Sequence, residues 1–308
     1  MPDQFADRLS AAVRRTRSAV CVGLDPRPAQ LPAGMLSDDA ARDPQQAAAA
    51  CGRFCREVVD AVADLVPIVK PQAAFFEQFG PAGMQELAAV VEHASRAGLL
   101  VIMDAKRNDI GSTAEAYADG YLGSAGQSPW GADALTISPY LGSDSLTPFV
   151  DVAASRGAGL FVLVKTSNPG GGQFQDLVAD GKPLYEHVAE FVEQLAGQTC
   201  GSCGYGAVGA VVGATYPEQL ASLRKLMPRT WLLVPGYGSQ GAGAADVAGG
   251  FDEQGLGAVV NNSRALIFAQ ARQPYADKFG ASRWQEAVAA ATRDMNDELR
   301  AASSVGRL

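Results

Sequence analysis

Short runs rich in Val, Ile and Leu recur eight times along this chain: Ala19–Leu24, Val66–Val69, Leu99–Met103, Ala134–Ile137, Leu160–Val164, Ala207–Val212, Trp231–Val234 and Ala258–Val260. Most of them do not alternate polar with apolar residues. Strands buried on both faces read this way, as in parallel sheets covered by helices. Stretches with helical spacing separate the runs, among them "PQQAAAACGRFCREVVDAVADL", "MQELAAVVEHASRAG", "PLYEHVAEFVEQLAG" and "PEQLASLRKLM". The second of these closes at Gly98, a residue suited to stopping a helix. Strand and helix alternating about eight times predict an α/β chain folded as a (β/α)8 TIM barrel. A doubly wound open sheet is the alternative, but no GxGxxG follows the first run. The 308 residues exceed a usual domain, yet α/β barrels reach this size. No linker or low-complexity stretch divides them, so a single catalytic domain over residues 1–308 is expected.

Composition narrows the partners. The chain is 47% hydrophobic and carries a net charge of −8, with a pI of about 4.9. An acidic surface argues against nucleic acid or an anionic membrane as the main partner, so an anionic ligand needs a local positive site. No stretch approaches the ~18 uninterrupted apolar residues of a membrane span. The opening "MPDQFADRLSAAVRRTRS" lacks the apolar core of a signal peptide; Phe5, Leu9 and Val13 instead recur at helical spacing. A cytoplasmic enzyme is the expectation. Five cysteines, an odd number, do not form a disulfide framework. Cys51 and Cys55 suit helix packing, and the "CGSC" at 200–203 reads as a loop with two ordinary thiols.

In a parallel barrel, chemistry belongs at the C-terminal ends of the strands. Those ends present Asp25 ("GLDP"), Lys70 ("PIVKPQ"), Asp104 and Lys106, then "SPY", "KTSNPGGG", "PGYGSQGAG" and finally Arg264 ("NNSRAL"). The densest segment is "VIMDAKRNDIGSTAEAYA". Asp104 and Lys106 stand two apart, so an extended backbone puts them on one face. Asp109 falls on the following turn, where Asn108 can take a left-handed conformation. Ser112 and Glu115 read as a capping box that starts the next helix. An exposed ion pair would be worth only ~0–1 kcal/mol. Lys70 at the preceding strand end, and Arg264 beside a glycine-rich loop where barrels bind phosphate, point instead to an enzyme acting on a phosphorylated small molecule. His93 and His187 have no metal-ligand spacing, and Phe75, Phe76 and Trp130 read as packing. Lys165, at a strand end, could form a Schiff base, which is the reading as a class I aldolase.

With these blocks in hand the sequence resembles the orotidine 5′-phosphate decarboxylase family, in its longer-chain bacterial branch. The resemblance rests on "VGLDP", "PIVKPQAAFFE", "VIMDAKRNDIGSTA", "LVKTSNPG", "VPGYGSQGA" and "VNNSRAL", which follow the family's order from about Val22 to Leu266. Asn108 stands where that branch carries Gly. The resemblance implies cofactor-independent decarboxylation of orotidine 5′-phosphate to UMP, with no metal. It implies that Lys70, Asp104, Lys106 and Asp109 form the catalytic charge array, with Lys106 protonating C6. Asp25 and Lys70 would hold the ribose, Ser167 the pyrimidine, and Gln240 with Arg264 the phosphate. Asp109 and Thr113 would complete the site of a neighbouring subunit, implying a homodimer. Other readings remain open: a magnesium-dependent sugar-phosphate enzyme of the same barrel superfamily, a class I aldolase, or a non-catalytic nucleotide-binding protein.

Overall fold

A computed structural model describes residues 4–124, 126–238 and 241–308. Eight parallel strands close into a barrel in cyclic order: β1 (Val20–Leu24), β2 (Ile68–Pro71), β3 (Leu100–Arg107), β4 (Ala134–Ile137), β5 (Gly159–Lys165), β6 (Val208–Val212), β7 (Leu232–Val234) and β8 (Ala258–Asn262), which returns to pair with β1. The open doubly wound sheet is thereby ruled out. All eight predicted runs became strands. β3 runs four residues past the predicted end, because its polar tail still finds backbone partners in β4.

The helices of ten residues or more are α1 (Phe5–Thr16), α2 (Pro44–Val62), α3 (Gly80–Arg96), α4 (Gly111–Tyr121), α5 (Ser143–Arg156), α6 (Leu184–Gln198), α7 (Pro217–Leu226) and α8 (Trp284–Ala302). Among the described residues, β7 is followed by a four-residue helix, Ala244–Val247, and a 3-10 turn, Ala248–Gly250. Helix α3 stops where the sequence said it should: Gly98 takes φ +80° and its N–H bonds to the Ser95 carbonyl. The start of α4 differs from expectation. Ile110 is its N-cap and no side chain caps it, so the Ser112–Glu115 capping box does not form. Gly111, at φ +51°, admits the chain into the helix before Ser112 is reached. No helix among the described residues is long and apolar enough to cross a membrane.

Strand alternation explains why the runs are apolar throughout. One face of each strand packs on the helices, and the other fills the barrel. The interior layer holds Cys21, Ile68, Ile102, Ala134, Phe161, Leu233 and Val259. Helix α1 plugs the barrel's N-terminal end with Phe5, Leu9 and Val13, all buried, and the Phe5 ring meets Phe161 edge-on at 6.0 Å. Burying such a side chain stabilises the fold by roughly 1.5–3 kcal/mol each. That leaves only the opposite end of the barrel open for a ligand.

Candidate active site

Two residues beyond the interior layer, the inward positions become Lys70, Asp104, Thr136, Leu163, Val211 and Pro235. Together with Lys106, Thr166, Ser167, Asn168 and Leu233 they line a cavity of about 210 Å³ at the strands' C-terminal ends. The period of two that packs the core therefore also builds the site. Charge stands on the β2–β3 side and apolar side chains on the β5–β7 side. A larger groove, about 560 Å³, lies on the barrel's flank between Gln85 and Gly131. It is remote from the strand ends, and its Arg96 is already paired with Glu92, so chemistry rather than size marks the site.

Asp104 is the hub. Its Oδ2 accepts from Lys70 Nζ at 2.5 Å and from Gln72 Nε2 at 3.0 Å. Its Oδ1 accepts from Lys106 Nζ at 2.6 Å and from the Thr136 hydroxyl at 2.9 Å. Asp104 and Lys70 are each only 5% exposed. Burial by itself would push the Asp104 carboxyl up; Lys70 and Lys106 outweigh it and hold the group well below the usual carboxylate range. Burial likewise disfavours the Lys70 ammonium, but Asp104 and then Asp25 outweigh that and raise its pKa. Lys70 and Asp104 are thus a charged pair, each stabilising the other's ionised form.

Lys106 reaches Asp104 by a route the spacing did not foresee. β3 slips register against β4 between Met103 and Arg107, so Asp104, Ala105 and Lys106 stand opposite Thr136 alone. Lys106 sits at φ +46°, a left-handed conformation that costs a side-chain-bearing residue about 1–2 kcal/mol. The left-handed residue of this turn is therefore Lys106 and not Asn108. The Lys106 N–H donates to Thr136 Oγ1 at 2.9 Å, which steadies the bulge. Arg107 clamps its other side through an ion pair with Glu77 and a 3.0 Å hydrogen bond to the Tyr121 hydroxyl.

The remaining residues divide. Ser167 lines the cavity opposite the charges, and Gly213 lets it sit there, since a Cβ at Gly213 would come within 2.8 Å of the Ser167 Cβ. Asp25 is half-buried; its Oδ1 is enclosed with no partner among the described residues. Arg264 is exposed and follows β8, on the same rim as Lys70 because the strands are parallel. A Cβ on Gly23 would collide with Ser263 Oγ at 1.9 Å, so that glycine lets β1 approach the residue before Arg264. Asp109 is half-buried and bonded to the Ile110 N–H at 2.9 Å, Thr113 is exposed, and neither lines the cavity of its own chain. Gln240 lies outside the described residues.

Other candidates resolve into structural parts. Lys165 Nζ pairs with Asp176 and does not line the cavity. His93 pairs with Asp60, and His187 with the Ala179 carbonyl. Phe76 is buried in the core, Phe75 lies under Arg27, and Trp130 stacks on Tyr121. Cys200 and Cys203 are free thiols, and burial pushes Cys203 up to about 11. Sequence reasoning missed Thr136 and Gln72. Thr136 had left a signal: it is the one polar residue in the run "ALTI", where nothing polar belongs without a partner.

A closed parallel barrel with opposed, buried charges at its C-terminal rim is a (β/α)8-barrel enzyme. The profile of the orotidine 5′-phosphate decarboxylase / HUMPS family matches residues 18–279, and the chain belongs to that family. The orotidine 5′-phosphate decarboxylase of Rhodopirellula baltica is 59% identical over 298 residues, covering 96% of this chain and 99% of that protein. A Streptomyces avermitilis crystal structure superposes with a TM-score of 0.80 at 40% identity, covering 97% of this chain and 96% of that one. Leishmania donovani OMP decarboxylase gives a TM-score of 0.70 at 35% identity, covering 94% of this chain and 99% of that one.

Proposed function

We propose that the chain converts orotidine 5′-phosphate to UMP without a cofactor, in the cytoplasm, as a step of pyrimidine synthesis. The observation that carries this reading is the Lys70–Asp104–Lys106 array under a cavity faced by Ser167. It occurs in a chain 59% identical to a protein named for that activity.

The C6–carboxylate bond breaks, carbon dioxide leaves, and the electron pair stays on C6. Lys106 then delivers a proton from Nζ to that carbon. Barriers of this kind require ~8–23 kcal/mol of lowering. Repulsion between Asp104 and a substrate carboxylate ~4 Å away is of order 4 kcal/mol at an effective dielectric near 20. A fixed ammonium beside the forming carbanion contributes attraction of similar size. The rest comes from remote contacts: Arg264 and Gln240 on the phosphate, Asp25 and Lys70 on the ribose, Ser167 on the base. The enclosed, unpartnered Asp25 Oδ1 is the kind of acceptor a ribose hydroxyl would satisfy.

Asp109 and Thr113 act from a second copy of the chain in a homodimer. Their position off their own chain's cavity supports this. So does the apolar rim beside them, where Ile110, Tyr140 and Leu141 are 54%, 85% and 48% exposed.

The test is loss of ultraviolet absorbance on incubation with orotidine 5′-phosphate, run with and without a chelator. Turnover indifferent to chelator is expected. No turnover would overturn the reading, and turnover abolished by chelator would move the chain toward the magnesium-dependent sugar-phosphate enzymes.

A further inference from the structure

Lys165 is a buried cation with no part in the chemistry above. It ends β5, its side chain is 2% exposed, and it pairs with Asp176, whose side chain is 47% exposed. Its Nζ also lies 5.2 Å from the Tyr185 ring centroid and 5.3 Å from that of Tyr216. A buried ammonium is costly unless it is paired, so Asp176 is drawn to this spot.

That pairing closes a loop. Residues 166–175 leave β5 at Lys165 and come back to it at Asp176. One step further in, the Gln175 side chain repeats the closure. Its Oε1 accepts the Thr166 N–H at 3.0 Å, and its Nε2 donates to Thr166 Oγ1 at 2.8 Å. The Thr166 hydroxyl in turn donates to Asn168 Oδ1 at 2.6 Å. The Lys165 carbonyl accepts the Gly213 N–H at 2.7 Å, tying the root of the loop to the glycine just past β6 that lies against Ser167. Two consecutive residues at the start of the loop are therefore bonded to two consecutive residues at its end. Ser167 is the next residue inward, and Asn168, Pro169 and Gly170 beyond it are exposed.

We propose that Lys165 and Asp176 form a latch holding the root of the 166–175 loop, and that this latch positions Ser167 against the bound base. Lys165 is a positioning residue and not a nucleophile. The inference rests on the proposed function for what Ser167 touches, but not for the latch itself.

Three measurements on wild type, Asp176→Asn and Lys165→Met decide it: decarboxylation kinetics, affinity for ribose 5-phosphate, and amide hydrogen exchange. Asp176 is half exposed, so its variant keeps the fold even if the lysine variant does not. In Asp176→Asn, exchange should quicken within residues 166–175 alone. Its kcat/KM should fall roughly 10- to 100-fold, as for a displaced contact group, with ribose 5-phosphate affinity unchanged. Unaltered exchange, or faster exchange with wild-type kinetics, overturns the proposal. So does an equal loss of ribose 5-phosphate affinity, which is general damage, or borohydride trapping of substrate on Lys165. Failure of the wild type to decarboxylate would sink the proposed function instead, and exchange in Asp176→Asn would still decide the latch.

Discussion

The Thr136 hydroxyl donates to Asp104 Oδ1 at 2.9 Å, while the same oxygen accepts the backbone N–H of Lys106. One buried side chain, 1% exposed, thus orients the central carboxylate and braces the strained residue proposed as the proton donor. Thr136→Val keeps the shape and removes both bonds. Leaving a buried donor unsatisfied costs about 1–3 kcal/mol, and about 1.4 kcal/mol is tenfold in rate. We expect kcat to fall roughly 10- to 100-fold with KM little changed, and Thr136→Ser to recover most of it. Steady-state kinetics on the three proteins check this; an unimpaired valine variant would show that the hydroxyl is idle.

Lys106→Ala should abolish nearly all turnover, since positioned proton transfer alone contributes about 10²–10⁴-fold. UMP binding, measured by calorimetry, should survive because the proposed phosphate contacts are elsewhere. Substantial residual turnover in this variant would remove Lys106 from the proton-donor role.

Arg264→Ala should act chiefly on KM, raising it by roughly 100-fold or more, as expected for loss of a charge-assisted phosphate contact. The arginine is exposed on the same rim as the array but outside the cavity lining. An unchanged KM would mean that the phosphate sits elsewhere.

Mixing two inactive variants tests the shared site. Lys106→Ala and Asp109→Ala subunits that exchange at random make about half mixed dimers, each with one intact site. Activity should return to about a quarter of wild type if a twofold dimer shares residues across its interface. A mixture that stays inactive after subunit exchange would contradict the contribution of Asp109 from a second copy.

The buried pair makes stability depend on pH in a stated direction. The folded Asp104 pKa lies below its ordinary value of 3.8, so its stabilising contribution is complete above about pH 4 and declines as pH falls further. The folded Lys70 pKa lies above 10.5, so its contribution is complete below about pH 10 and declines as pH rises beyond that. Between these limits the array's contribution should be flat. Lys70→Met leaves burial opposed by one cation fewer, which raises the Asp104 pKa. Its thermal midpoint should therefore fall less than that of wild type on acidification below about pH 4, measured from each protein's own value at neutral pH. Calorimetry across about pH 3 to pH 8 measures this, and identical acid limbs would deny the coupling.

Most of the barrel could be read from the chain because its signal is local and repeated. A run such as "ALTI" or "GLFVLVK" is apolar on both faces only if both faces are covered. Lys70, Asp104, Lys106, Ser167 and Arg264 could be placed at the mouth because each ends a strand or follows one directly. The capping box at Ser112 could not be judged in the same way. Whether a serine caps a helix depends on where the backbone turns, and Gly111 turned it first.

Residue order by itself determined which side chains would stand at the open rim, because a period of two and a common strand direction leave them nowhere else. Only the tertiary structure decided that Asp104 would receive four donors at once. Its donors Lys70, Gln72 and Thr136 lie 34, 32 and 32 residues away, and Lys106 reaches it only through a bulge opposite Thr136. Such a convergence is set by barrel closure and strand register, which no stretch of sequence carries alone.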